Sequence, residues 1–383
     1  MNYLKELKQI KNTLNLKKYV KKSSNYCKYG YENLFWLEIV LSLLGHNSLR
    51  EKVSFLNFIE DKNKLAKFYK NIGLKFKKTT SNIPSIATFS QYKKAFIGNK
   101  IDYTNLIKTL LNNRKTSNLH HISIDGKDIR NSGKCSKGRD NIKSIHCVFD
   151  KMLMYSDVTK NENNWIKNNF SNLILYLKNH TFNKNKNIIF TGDCIYNNKY
   201  IRQKMNEYGC FYLFPFKSQY KQFGKYFNYK SLINKQEIIK NHNNKIIKYN
   251  YKLYKLPKNK EKINFLIEIE KEIYNNKTKE TSYVTQKYIS NHTDEKLDYF
   301  KIKLDHWSVE SFHKIKDVWL KEDRYHKCKE NAPFIAVINN LLAFVYDKFG
   351  IKQKNKLKVF ELALYEALIS LFKFIYQTLL ITY

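Results

Sequence analysis

Three acids far apart in the chain stand where a carboxylate could do chemistry. Asp125 closes the alternating apolar segment of "LHHISIDGKDIRNSGK" (119–134), and Asp193 closes a second one, "NIIFTGD" (187–193). Alone, each is an ordinary strand-to-turn junction, where Asp and Gly are common. Glu310 lies in "DHWSVESFHKIKDVWLKED" (305–323). At about 100° per residue, His306, Glu310, His313 and Asp317 of a helix there fall within about 60° of one another. Phe312, Ile315 and Trp319 occupy the opposite side. Three readings of that polar face stay open: a solvated stripe, a transition-metal site of two histidines and two acids, or an acid presented to an active site. Carboxylates without clustered soft ligands favour Mg²⁺ or Mn²⁺. Three of them can hold two ions about 3.5–4 Å apart, one activating water or a 3′-hydroxyl, the other stabilising the leaving oxygen of a phosphodiester.

The composition suits that substrate. Lys and Arg number 70 against 33 Asp and Glu, a net charge of +37. Part of this reflects a chain rich in Asn, Lys, Tyr and Ile, as an A/T-rich coding sequence produces. The unbalanced excess still points to a polyanion, with nucleic acid first and an anionic membrane surface second. Aromatics at 15% suit base stacking and core packing equally. The six cysteines (27, 135, 147, 194, 210 and 328) form no C-x-x-C and read as thiols of a reducing compartment. The N-terminus has no signal-peptide core. The apolar C-terminal stretch is interrupted by Glu361, Glu366 and Lys373, leaving an uncharged run, Phe374 to Tyr383, far short of the ~20 residues that span a bilayer. A soluble cytoplasmic protein is expected.

The elements that must position the acids follow from periodicity. Residues 1 to 115 read as helical, with "NLFWLEIVLSLLG" an apolar helix closed by Gly45. From 119 the period becomes two. Strands are expected to end at Asp125, to span 142–150 and 153–160, to end at Asp193, and to include "CFYLFPF". Amphipathic helices "NNWIKNNFSNLILYLKNH" and "NNKYIRQKMNEYG" fall between them. In 226–290, "IIKYNYKLYKL" and "INFLIEIE" alternate and predict a β-hairpin around "PKNKEK". Helix returns after 291.

The segments "SIDGKDIRNS", "IIFTGD", "YLFPFK", "YIS", "HWSVE", "KDVWLKED" and "NAP", in that order, resemble the H-repeat-associated group of bacterial insertion-sequence DDE transposases. That family shows I-D-G-K-x-x-R, a second Asp after a later strand, Y-x-x-x-x-K, and H-W-x-(I/V)-E followed by E-D and N-A. With the early "LSLLGHNSLREKVSF", the resemblance covers most of the chain. It departs after the second acid, where "CIYNN" replaces the family's small residues.

The resemblance implies an α/β fold with a ribonuclease-H-like catalytic core in two parts, 116–225 and a helical 291–383. A helical N-terminal region that binds DNA (1–115) precedes it, and a β-rich insertion (226–290) lies between the second and third acids. It implies that Asp125, Asp193 and Glu310 are the catalytic residues and the ligands of Mg²⁺, with Mn²⁺ as substitute. Lys127 and Arg130 match the family's basic pair and would contact phosphate. Lys217, His306 and Trp307 match further positions on the DNA side. The implied activity is cleavage and strand transfer of DNA at insertion-sequence ends, with terminal inverted repeats and target DNA as partners and a homodimer assembled on them. An inactive remnant that only binds DNA, and a nuclease of the same fold, are the alternatives.

Overall fold

The structure is a computed structural model that describes residues 3–21, 29–59, 62–74, 83–97, 119–129, 141–149, 152–180, 187–216, 221–228, 231–241, 245–320, 322, 332–351 and 354–368. Alternation of apolar and polar residues builds one mixed sheet of nine strands: β1 (Leu119–Asp128), β2 (Lys143–Phe149), β3 (Met152–Thr159), β4 (Asn187–Thr191), β5 (Phe211–Pro215), β6 (Ile233–Asn241), β7 (Lys245–Lys255), β8 (Phe265–Asn275) and β9 (Thr281–Ser290). Their spatial order is β3-β2-β1-β4-β5-β9-β8-β7-β6. Strands β1, β4 and β5 run parallel, and every other pairing is antiparallel.

Two sequence expectations change here. Asp125 does not end its strand, because β1 continues three residues further, paired with β2 as far as Asp128 and Lys143. Between 226 and 290 the chain forms four strands rather than one hairpin. Strand β9 pairs with β5, so the insertion extends the central sheet. One face of the extension is apolar: Tyr249, Tyr251, Leu253, Phe265, Ile267 and Ile269 pack on Tyr299 and Phe300. On β8, Glu268, Glu270 and Glu272 alternate with the buried apolar residues. These acids pair across the sheet with Lys248, Lys252 and Lys287, which keeps that face polar without leaving its charges unmatched.

Helices cover both faces of the central strands. On one side α6 (Glu162–His180) buries Trp165, Ile166, Phe170, Leu173, Ile174 and Leu177, an amphipathic stripe, and packs on β3. Helix α7 (Lys199–Glu207), capped by the Asn198 side chain on the Ile201 N–H, packs on β5. On the other side, α8 (Tyr299–Asp305) and α9 (Trp307–Lys314) cross β1. A π-helical turn (Ile315–Trp319) follows, and α10 (Ala332–Lys348) lies on β3.

Among the N-terminal helices, α1 (Tyr3–Leu14) packs on the last described helix, α11 (Lys354–Leu368). Helix α2 (Tyr31–Leu43) is buried from Leu34 to Leu43 and packs on α10, with Phe35 against Phe334 at 5.4 Å between ring centroids. Burial of a whole helix brings one acid inside. Glu38 lies 3.0 Å from both Lys52 and Lys93 and accepts a hydrogen bond from the Tyr92 hydroxyl. Burial opposes its charge, yet the two lysines and Tyr92 hold its pKa down at about 2. This cluster ties α2 to the two helices that flank it, and α2 in turn backs α10. Glu38→Gln leaves two buried ammonium groups without their counter-charge and is expected to cost about 3–5 kcal/mol. Urea denaturation measures it, and a change below about 1 kcal/mol would remove this cluster as an anchor.

Candidate active site

Strand β1 places His121, Ser123, Asp125 and Lys127 on the face that α9 covers, by simple alternation. Register does the rest. Ser123 is level with Thr191 of β4, so Asp125 and Asp193 each lie two residues beyond the same rung of neighbouring parallel strands. On the other side Asp125 is paired with His146, and Lys127 with Ser144. Directly opposed residues share a sheet face. Asp125 and His146 therefore meet α9 together.

Helix α9 contacts this face at two points that bracket Glu310. Ser308 Oγ is 3.4 Å from Ser123 Oγ, and His313 Nδ1 is 3.6 Å from Asp125 Oδ2. Its N-terminus is fixed by His306, whose Nδ1 is 2.9 Å from Thr191 Oγ1, the atom that also meets His121 Nε2 at 2.7 Å. Glu310 and Asp193 are exposed, while Asp125 is half-buried. Asp193 Oδ1 accepts the Ile195 N–H at 2.9 Å, which shapes the turn after β4.

The polar stripe expected on one regular helix is divided. Regular α-helix is interrupted at His306, whose own backbone stays helical, and the π-helical turn begins at Ile315. The buried line is Val309, Phe312, His313 and Lys316, whereas Glu310 faces outward. Of the apolar back expected there, Phe312 is buried but Ile315 and Trp319 are half-buried. A π turn inserts an extra residue into the helical repeat and so rotates the following side chains.

Under this helix lies a buried polar network that no sequence pattern announced. His313 Nε2 meets His146 Nδ1 at 2.9 Å, and His146 Nε2 meets both Asn340 Oδ1 and Ser144 Oγ at 2.9 Å. Lys316, with no exposed surface, donates to Asn340 Oδ1 at 2.7 Å and lies 3.2 Å from Glu322. Glu322 also pairs with Lys127 at 3.1 Å and accepts from Asn339. Lys127 reaches Asp317 at 2.7 Å. Burial works against the Lys127 ammonium, but Glu322 and Asp317 raise its pKa to about 12. Lys127 is thus buried in a protein ion pair instead of facing phosphate, because α9 and the turn after it close over the end of β1. His306 is likewise turned inward to Thr191. Trp307 is 58% exposed. Arg130 and Lys217 lie outside the described residues.

A fourth carboxylate was also missed. Glu162, at the start of α6, approaches β1 from the opposite face, and a Cβ built on Gly126 would stand 2.4 Å from its Oε1. Gly126 lies within the strand rather than in a turn, and a side chain there would displace the Glu162 carboxylate. Tyr196 donates to the same Glu162 oxygen at 2.8 Å.

These charges set the state of Asp125. Burial raises its pKa, the negative charges of Asp193 and Glu310 raise it further, and Glu162 adds to them, against one hydrogen bond from the Gly126 N–H; the result is about 7. Oxygen donors of this kind suit a hard cation, and a cation would relieve the repulsion. Among the described residues, no three His, Cys, Asp or Glu side chains are grouped closely enough to hold an ion as they stand. Holding one requires the exposed Asp193 and Glu310 to turn toward Asp125.

No protein-family model matches the chain, and no curated protein matches it. Among solved structures it is similar to a piggyBac transposase synaptic complex with hairpin DNA, at 12% identity and a TM-score of 0.40, over 96% of this chain and 76% of that one. Among the described residues, no helix is long and apolar enough to cross a membrane.

An Asp whose folded pKa is about 7 against an ordinary 3.8 binds more protons folded than unfolded between those values. The contribution of Asp125 to stability is then most favourable below about pH 4, falls as pH rises to about 7 and stays lower above it. Asp125→Asn removes this loss. Without divalent metal, the variant should match wild type near pH 4 and exceed it by about 1–3 kcal/mol at pH 8. Equal stability of the two at pH 8 would show that Asp125 is not under this repulsion.

Proposed function

We propose that this chain is a DDE-type DNA transposase built on a ribonuclease-H-like core, acting on insertion-sequence ends. One observation supports the reading above the others. Asp125 of the central strand is level with Asp193 on its parallel neighbour and lies beneath the helix that bears Glu310, and both of their charges act on it. The strand order, three antiparallel strands leading into two parallel ones with helices on both faces, suits the core that the family resemblance implies. The net charge of +37 suits a DNA substrate.

In this reading Asp125 is the fixed ligand, seated on β1 and backed by His313. Asp193 and Glu310, both exposed, are the ones that would turn in to hold the metal with it. Bound Mg²⁺, or Mn²⁺ in its place, would activate the attacking hydroxyl and stabilise the leaving oxygen. His306 holds the start of α9 against β4, which keeps Glu310 over the strand ends. Trp307, exposed one turn before Glu310, and the Lys303 ammonium 6.0 Å from its ring would meet the DNA. Lys127 acts from below, through its pairing with Glu322 and Asp317. Arg130 and Lys217 would contribute phosphate contacts, and two protomers would assemble on paired ends.

The test is Mg²⁺-dependent cleavage and joining of end-containing DNA by wild type and by Asp125→Asn, Asp193→Asn and Glu310→Gln. Each substitution should lower both steps at least about a hundredfold, more than loss of a metal's supporting partners costs, while DNA binding persists. Cleavage without joining in wild type would favour a nuclease of this fold. Binding without either reaction would indicate an inactive remnant. Full activity in all three variants would end the proposal.

A further inference from the structure

We propose that His313 is a nitrogen ligand of the metal at Asp125, presented there by the buried chain Lys316–Asn340–His146. This rests on the reading of Asp125 as a metal ligand given above. His313 is 8% exposed, and its Nδ1 points at Asp125 Oδ2 from 3.6 Å. That distance is too long for a hydrogen bond. It suits two ligands of one ion, because atoms that each bond a cation at about 2.1 Å can stand up to about 4.2 Å apart.

The network decides which face of the imidazole is offered. A lysine ammonium only donates, so the atom of Asn340 that lies 2.7 Å from Lys316 Nζ is its carbonyl oxygen. That oxygen accepts, so His146 Nε2, 2.9 Å away, bears the proton. Ser144 Oγ, also 2.9 Å from His146 Nε2, accepts the same proton, and the 3.2 Å approach of Lys316 Nζ to Nε2 is the longest of the three contacts. The amide of Asn340 is in turn engaged, its Nδ2 donating to Ser144 Oγ at 3.1 Å. With Nε2 protonated, neutral His146 has its lone pair on Nδ1 and accepts from His313 Nε2–H at 2.9 Å. His313 is left with its lone pair on Nδ1, facing Asp125. A metal-bound histidine characteristically donates its other N–H to a fixed partner, which sets the tautomer and ring orientation. Here that partner is His146, itself paired across the sheet with Asp125.

An imidazole beside carboxylates shifts selectivity from Mg²⁺ toward Mn²⁺ and later transition metals. The direct test uses Mn²⁺ bound to the full chain, read by pulsed electron paramagnetic resonance for nitrogen coupling, with unlabelled and ¹⁵N-histidine protein. Wild type should show coupling to a directly bound nitrogen that changes with the ¹⁵N label. His313→Gln, which can still bond His146, should lose the coupling and bind Mn²⁺ at least tenfold more weakly, with its Mg²⁺ affinity changed less. The wild-type spectrum needs no variant to fold. Mn²⁺ binding that Asp125→Asn abolishes, with no histidine coupling in wild type, would overturn this inference and leave the proposed function standing. Mn²⁺ binding unaffected by Asp125→Asn would instead remove the reading on which it depends.

Discussion

The negative charge at Asp125 is the constraint around which this half of the molecule is arranged. Its carboxylate is half-buried on the central strand, with Asp193, Glu310 and Glu162 close enough to oppose its ionisation. The lysines nearest to hand do not answer that charge. Lys127 is committed to Glu322 and Asp317, and Lys316 to Glu322 and Asn340. These lysines are thus held inside the helical layer, matched by their own acids, while among the described residues no lysine or arginine forms an ion pair with Asp125, Asp193 or Glu310. An arrangement of that kind leaves room for an external cation, and it recurs where chemistry needs one.

The rest of the fold keeps the two charge populations apart. The pairing of β1 with β2 brings His146 beside Asp125, and α10 supplies Asn339 and Asn340 from above. Helix α10 is itself backed by α2, through Phe334 packed on Phe35, and by the helix Ile86–Lys93, through Phe334 packed on Tyr92. The buried Glu38 cluster that ties α2 to its neighbours therefore contributes to the position of the network under α9. The described helices of 1–115 and of 291–383, distinct in the sequence, pack on one another in this layer.

Much of this was legible in the sequence. Alternation located β1 to β5 within a few residues, and amphipathic spacing located α6 and α7. The acids at Asp125 and Asp193 could be paired because each follows an apolar run that ends near the same rung. What escaped depends on partners far away in sequence. Burial of Lys127 follows from Glu322 and Asp317, so a lysine beside an acid and an arginine reads as a phosphate contact until the helix that covers it is known. Glu162 acts on Asp125 only because α6 begins behind Gly126. A single helical period does not hold from His306 to Asp317, because regular α-helix is interrupted at His306 and a π turn begins at Ile315. Glu322 belongs to the "KDVWLKED" run, where local pattern carries no signal that it is buried.

The central claim is that Asp125, Asp193 and Glu310 close as one unit on a divalent ion when DNA is bound. The most direct measurement is a structure of the chain on an end-containing duplex with Mn²⁺, its anomalous scattering used to locate the ion. The account predicts anomalous density in contact with all three carboxylates, with Asp193 and Glu310 turned in from solvent. DNA seated on the protein with Mn²⁺ elsewhere, and the three carboxylates still apart, would contradict it.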